Sequence, residues 1–306
     1  MTYRVVHQGF DTLDLAIKGA LAEPVLEQLE AAREIAETTQ REQIVTIGQA
    51  GQRFLVQPHG QRGGYRYVLT NGPTGAIFSI KANPDPDEWN LFISVRAACL
   101  LTKRYEGAKQ WLFDTIIGMG GVIRDHSVNR LDYAVDILAT DFTLDMANFV
   151  APGHAKISAH WESEHSIGDN GEPIQPVIRG GRFETVTIGK MPRRQVILYD
   201  KRRAAIDKKE PHWFEEWGVD RNDPGQQVWR VEIRAGKKAL EKGHIKRNFD
   251  AIDTDFPAFL HRAMQEIRYV TGKNEHSNVS RAVTHPLWEA AADALHRLPV
   301  TVAAPA

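Results

Sequence analysis

Three short segments of the chain alternate apolar with polar or charged residues, the pattern of a strand that has one polar face. They lie at 130–136 (RLDYAVD), 195–201 (QVILYDK) and 229–234 (WRVEIR). Because successive side chains point to opposite faces of a strand, the polar positions within each segment are predicted to share a face. These positions are Asp132 and Asp136 in the first segment, Tyr199 and Lys201 in the second, and Arg230, Glu232 and Arg234 in the third.

If the three strands lie near one another, one sheet face gathers three carboxylates, a phenol, an ammonium group and two guanidinium groups. Burying such a face without ligands would cost a large desolvation free energy. We therefore predict an open face, on which a metal ion and a phosphodiester would satisfy these groups. The opposite face is apolar and could be covered by helices, through Leu131, Tyr133, Val135, Val196, Leu198, Val231 and Ile233.

The composition is that of a globular protein with a sizeable core. The chain has 306 residues, of which 42% are hydrophobic and 25% charged, which fits one large domain or two fused modules. Its single cysteine, Cys99, excludes an internal disulfide and is expected in the core. No apolar stretch is long enough to cross a bilayer and residues 1–10 lack a signal-peptide core, so a cytoplasmic protein without a membrane partner is predicted.

The formal net charge of −1 argues against a general nucleic-acid coat, which is usually strongly basic. Two local runs are basic nevertheless. Residues 190–209 carry eight lysines and arginines against two aspartates, and residues 230–247 carry seven lysines and arginines. Most charge runs are solvated surfaces, but both of these overlap the predicted polar strands. This overlap favours a track for nucleic-acid phosphates.

The chain is predicted to be an α+β protein. It consists of two related βαββ-type halves that form a mixed or antiparallel sheet with helices on one face, plus C-terminal helices. The predicted divisions are 9–125 for the N-terminal half, 126–275 for the catalytic half, and 276–306 for a C-terminal helix and tail. The main predicted elements are strand 9–17, a helix opened by Pro24, helix 106–117, strand 130–138, a polar insertion at 151–181, and a helical turn at 213–217.

Taken in order, the segments at 130–136, 195–201 and 229–234, with TIG at 187–189 before the second, resemble the replication initiation factor family. That family includes rolling-circle plasmid initiators, filamentous-phage initiators and mobile-element relaxases. The resemblance covers roughly residues 9 to 270 and is specific in these segments only. Two features differ from the family: the Gly-Ser-Arg often found near Gly189 reads GKMPRR here, and no separate helix-turn-helix is present in the sequence. Both differences concern DNA sequence specificity more than chemistry.

The resemblance implies a metal-dependent nickase that acts on an origin in single-stranded or cruciform DNA. Its tyrosine attacks a phosphodiester and keeps the 5′ end as a phosphotyrosine, and the freed 3′-OH primes rolling-circle synthesis. In this chain the nucleophile would be Tyr199, assisted by Lys201, which would lower the phenol pKa or neutralise the phosphate. A host helicase and a second copy of the chain are further candidate partners.

A divalent metal, Mg or Mn, is the expected cofactor, because an all-oxygen ligand set suits these ions better than zinc. Its predicted ligands are Asp132, Asp136 and Glu232. The predicted phosphate-binding residues are Arg230, Arg234, Arg193, Arg194 and Arg202.

Simpler interpretations stand beside these. The aspartates could form structural ion pairs with arginines, Glu232 could belong to a surface ladder, and a strand tyrosine is usually a packing residue. Tyr133 alternates with Asp132 along the strand, so it falls on the apolar face and is not favoured as the nucleophile. The histidines of the insertion, His154, His160 and His165, favour loop positions over a zinc site.

Three further functions stay open. The chain could be a conjugative relaxase or a non-catalytic DNA-binding protein of the same fold. It could also be an interaction protein whose charged strands are merely solvated.

Overall fold

The computed structural model describes residues 3–48, 51–152, 174–179, 182–272 and 281–298. It confirms the predicted α+β class. The chain forms two compact units: an N-terminal unit of Gly9–Asp132 with Arg247–Phe249, and a C-terminal unit of Met1–Gln8, Tyr133–Lys246 and Asp250–Ala306. Among the described residues, none of the helices combines the length and the apolar character that a bilayer span requires.

The strands are β1 (Arg4–Leu21), β2 (Gln43–Ile47), β3 (Gln52–Val56), β4 (Tyr67–Thr70), β5 (Ala76–Ile80), β6 (Leu91–Arg96), β7 (Gly121–Leu138), β8 (Phe149–Val150), β9 (Ile174–Arg179), β10 (Arg182–Gly189), β11 (Arg194–Asp200), β12 (Val228–Gly236) and β13 (Arg268–Tyr269). The helices are α1 (Glu23–Thr39), α2 (Ala97–Gly118), α3 (Lys201–Asp207), α4 (His212–Trp217), α5 (Lys237–Lys242), α6 (Phe249–Glu266) and α7 (Pro286–His296), with a 3₁₀ turn at Met146–Asn148.

The N-terminal unit is built on a meander of antiparallel strands. Strands β2 to β6 follow one another in space as they do in sequence, and β6 returns to pair with β1. Leu15 of β1 lies opposite Ile93 of β6, and both are fully buried. Helix α1 buries Leu26, Leu29 and Ala36, which recur at helical spacing.

The C-terminal unit repeats this plan. Strands β9 to β12 form an antiparallel meander, and β12 returns to lie beside β7. Both β1 and β7 have 18 residues. In both units the returning strand leads directly into a helix, from β6 into α2 and from β12 into α5. The two units therefore share this connectivity, as expected for two related halves.

Several element ends differ from the sequence expectation. The first strand runs beyond the predicted 9–17, and the polar insertion contains β9. Helix α2 begins at Ala97, but its backbone is non-helical at Arg104 (φ 59°), so the predicted helix at 106–117 corresponds to the part after this break. The part before it buries Cys99 and Leu100. The predicted boundary between residues 125 and 126 lies inside β7.

Glu30 provides a test of how helix α1 is held in the N-terminal unit. The Glu30 carboxylate accepts hydrogen bonds from the Arg66 guanidinium and from the Tyr67 hydroxyl, the latter at 2.8 Å. The Arg66 hydrogen bond is the largest cause that lowers the pKa of Glu30 to about 2, and burial, assisted by Glu30, raises the pKa of Tyr67 to about 12.

We predict that Glu30→Gln destabilises the protein at neutral pH, by at most about 1 kcal/mol because the pair is partly exposed. The folded pKa of Glu30 lies below the unfolded value of about 4.3, so its stabilisation is complete above that value and disappears as pH falls towards 2. Urea unfolding at pH 7, 4 and 2.5 measures this, with Glu27→Gln, an exposed position on the same helix, as control. A difference between wild type and Glu30→Gln that does not depend on pH would contradict it.

Candidate active site

The register of β11 and β12 places the predicted polar residues of these two strands on one face. Tyr199 lies opposite Arg230, Ile197 opposite Glu232, and Gln195 opposite Arg234. The alternate positions form the apolar face as predicted. Val196, Leu198, Val231 and Ile233 are each at most 1% exposed.

The Tyr199 phenol is hydrogen-bonded to a buried carboxylate. Its hydroxyl donates to Glu232 Oε2 at 3.1 Å, and Arg234 Nε donates to Glu232 Oε1 at 2.6 Å. The side chain of Glu232 is 1% exposed and that of Arg234 is 30% exposed, while Tyr199 is half-buried. The Glu232 carboxylate therefore accepts hydrogen bonds from both a phenol and a partly exposed cation.

Asp136 and Arg230 form a fully buried ion pair. Both side chains are 0% exposed, and Arg230 Nη2 donates to Asp136 Oδ2 at 2.8 Å. The same carboxylate oxygen accepts a second bond, at 2.8 Å, from the indole Nε1 of Trp217 on α4. The Arg230 guanidinium carbon also lies 4.4 Å from the centre of the Trp213 ring, a cation–π distance. The expectation of an open charged face is therefore wrong at this end, because the aromatic side chains of α4 lie over it.

Lys201 is the first residue of α3 and not a strand residue. Asp200 caps this helix by accepting a hydrogen bond from the Arg203 backbone N–H at 2.8 Å, which ends β11 one residue before Lys201. The strand alternation that was predicted to put Lys201 on the face of Tyr199 stops there. The Lys201 ammonium lies 3.4 Å from Glu210 Oε2 and 4.5 Å from the Trp213 ring centre.

Trp213 is thus within cation–π distance of two cations, and the sequence did not indicate this role. His7 also packs edge-on against its ring at 5.2 Å, and His7 Nδ1 lies 2.9 Å from Glu216 Oε1. In the part of the chain that the structure describes, the indole N–H of Trp213 has no hydrogen-bond partner. The predicted helical turn at 213–217 could have indicated that Trp213 belongs to the site. Nothing in the sequence indicated that His7 does.

Asp132 belongs to the N-terminal unit, where its fully buried carboxylate is paired with Arg130, whose Nε lies 3.0 Å from both carboxylate oxygens. Each of the three predicted metal ligands therefore accepts hydrogen bonds from an arginine, as in the ion-pair interpretation. Within residues 3–48, 51–152, 174–179, 182–272 and 281–298, no three histidine, cysteine or acidic side chains are gathered so that they could hold a metal ion. With these arginine partners in place, an ion would have to displace a guanidinium to bind any of the three carboxylates.

The other predicted phosphate-binding arginines differ in their surroundings. Arg193 is exposed on the turn between β10 and β11. Arg194 lies 2.7 Å from Glu266 on α6. Arg202 donates to the Arg221 backbone carbonyl at 2.8 Å and lies 6.0 Å from the Phe214 ring centre. The predicted histidine cluster at His154, His160 and His165 lies outside the described residues.

Other tyrosines are less suited to attack a phosphodiester. Tyr133, which parity assigned to the apolar side, is 5% exposed, and burial raises its pKa to about 12. Tyr269 is 1% exposed, and burial raises its pKa as well. Tyr199 combines partial exposure with a carboxylate acceptor, which makes it the better candidate nucleophile.

Comparison with solved structures adds a likeness in fold. The chain is similar in structure to the Rolling Circle Replication Initiator Protein from Geobacillus stearothermophilus. The two are 14% identical, the alignment covers 98% of this chain and 99% of that chain, and the TM-score is 0.48. At this identity the likeness assigns no role to any side chain. No family model and no curated protein matches the sequence.

The buried pair leads to a stability prediction. Asp136→Asn leaves the Arg230 charge buried without its counter-ion, so we expect a loss of about 3–5 kcal/mol in the free energy of unfolding. Trp217→Phe removes one hydrogen bond to the same carboxylate and should cost about 1–3 kcal/mol. Chemical denaturation of each variant measures these values.

The matched control for this prediction is the double variant Asp136→Leu/Arg230→Met, which removes both charges. It should be more stable than Asp136→Asn, because hydrophobic residues of similar size can replace a buried ion pair at little cost. An Asp136→Asn variant within about 0.5 kcal/mol of wild type would show that the pair is not a structural constraint.

Proposed function

We propose that this protein is a DNA replication initiator that makes a site-specific single-strand nick through Tyr199 and so starts rolling-circle replication. The observation that carries the proposal is the hydrogen bond from the Tyr199 phenol to the buried Glu232 carboxylate, next to Arg234. The ordered family motifs at 130–136, 195–201 and 229–234, which supply these residues, support the same assignment.

The proposed step forms one bond and breaks one. The phenol oxygen of Tyr199 attacks phosphorus, its proton passes to Glu232, and the P–O3′ bond breaks. The 3′ oxygen leaves as a hydroxyl after taking a proton from water, and the 5′ end stays on the protein as a phosphotyrosine. Because a free phenol has a pKa of about 10, attack near neutral pH requires such a proton acceptor within reach.

Arg234 and Arg230 receive different roles in this proposal. Arg234 keeps 30% of its side chain exposed while it binds Glu232, so it can orient the carboxylate and place positive charge beside a phosphate. Arg230 is fully buried between Asp136 and Trp213, so we assign it to holding the site together rather than to binding DNA. We also propose a host helicase and a second copy of the chain as partners.

A non-catalytic DNA-binding protein of the same fold is the second candidate. The observation that favours it is that Asp132, Asp136 and Glu232 are all neutralised by arginines. DNA binding that weakens steeply with salt, without any cleavage, would select this function. A conjugative relaxase would share the chemistry of the initiator and would differ in its genetic neighbourhood.

Tyr199→Phe is predicted to abolish covalent attachment to DNA, because it removes the attacking oxygen and leaves the ring. The assay incubates the protein with a single-stranded origin oligonucleotide labelled downstream of the nick, and detects the adduct on a denaturing gel. Tyr65→Phe is the matched control, since Tyr65 is also half-buried, and it should form as much adduct as wild type. An adduct that persists in Tyr199→Phe would refute the assignment.

Metal dependence is a separate part of the proposal and rests on the family resemblance, so no step above uses an ion. We expect EDTA to abolish adduct formation and Mg or Mn to restore it. An ion bound at Glu232 would compete with Arg234 for the same carboxylate, so Arg234→Gln should lower the metal concentration needed for half-maximal adduct formation. Full activity in EDTA would show that the arginines suffice.

A further inference from the structure

Two segments of the C-terminal unit that are distant in sequence are joined at one end of the β11–β12 pair. The Gly236 N–H donates to the Arg193 carbonyl at 2.9 Å, and the Lys238 N–H donates to the Pro192 carbonyl at 3.0 Å. A Cβ atom at Gly236 would lie 2.3 Å from the Pro192 carbonyl oxygen, so only glycine allows this approach. The turn at 190–194 and the start of α5 therefore form one surface.

This surface is strongly basic. Residues 190–194 and 236–238 together contain five lysines and arginines and no acidic residue. Arg194 is directed to Glu266, but the remaining four cations are all exposed. We call these four the basic turn surface: Lys190, Arg193, Lys237 and Lys238. Glu241, which is itself exposed, lies 4.0 Å from Lys237.

The basic turn surface lies at a defined distance from the candidate nucleophile. Strand β11 leads from Arg194, at the end of the turn, to Tyr199. Five residues of extended strand span about 17 Å. Arg234, opposite Gln195, lies between the two ends.

We propose that the basic turn surface binds the phosphates of the DNA strand that flanks the scissile phosphodiester. This inference rests on the proposed function and specifies where its substrate is held. The assignment follows from charge complementarity: four exposed cations on a backbone-braced turn match a row of phosphates, and phosphate contacts position nucleic acid without reading its sequence. Of these four residues, only Arg193 was among the phosphate-binding residues predicted from the sequence.

The experiment compares three double variants that remove the same charge, each in a Tyr199→Phe background so that no covalent bond can form. They are Lys190→Ala/Arg193→Ala in the turn, Lys237→Ala/Lys238→Ala in α5, and Lys208→Ala/Lys209→Ala as the control. The control pair is also exposed and basic but follows α3. Fluorescence anisotropy with a labelled single-stranded oligonucleotide measures the dissociation constant from 50 to 200 mM salt.

The logarithm of the binding constant falls linearly with the logarithm of the salt concentration, and on single strands each phosphate contact adds about 0.7 to the steepness of that line. We therefore expect the turn variant and the α5 variant, which each lose two contacts, to reduce the steepness by about 1.4. The control variant should keep the wild-type slope. Equal effects in all three variants would indicate a diffuse charge effect, and no effect in the first two would place the phosphates elsewhere; either result overturns the inference. Because this binding measurement does not need Tyr199, it can refute the role of the basic turn surface without refuting the nicking proposal. The adduct assay can likewise refute nicking by Tyr199 without refuting the role of the basic turn surface.

Discussion

The buried ion pair between Asp136 and Arg230 constrains the arrangement of the C-terminal unit. Both side chains are fully buried, and two charges are tolerated there only if they are paired and hydrogen-bonded. The requirement extends to α4, because Trp217 donates to Asp136 and Trp213 lies against the Arg230 guanidinium. Strands β7 and β12 and helix α4 are thereby connected through one pair of charges.

This pair also decides which groups are available for chemistry. Arg230 lies directly opposite Tyr199 in the β11–β12 register, yet it is committed to Asp136 and not exposed to a ligand. The part of the face that we propose for the chemistry is therefore the neighbouring set of Tyr199, Glu232 and Arg234. In this set the carboxylate is buried while the phenol and the guanidinium are partly exposed, which suits a proton acceptor lying behind a nucleophile.

Arginine neutralises each acid that the family resemblance assigned to a metal. A carboxylate that binds a guanidinium presents fewer lone pairs to an ion, so an ion bound at Glu232 would compete with Arg234. This competition connects the two candidate functions, because a metal-dependent initiator would have to release an acid that a purely DNA-binding protein can leave paired. The basic turn surface would serve either function, since phosphate binding needs positive charge and exposure rather than catalysis.

Local patterns alone determined the α+β class, the strands β11 and β12, the separation of Tyr199 from the apolar residues, and the burial of Tyr133. These features follow from side-chain alternation, which is a property of consecutive residues. One further local signal was missed: Asp200 caps α3 through the Arg203 N–H, three residues away, and so removes Lys201 from the strand. Tertiary structure decided that Arg230 is buried rather than open to DNA, and that His7 packs on Trp213. The physical reason is that the partner of a charged group depends on contacts across the fold. Asp136 and Trp217, for example, are 81 residues apart in the chain. The alternation of residues within a single strand does not encode such a contact.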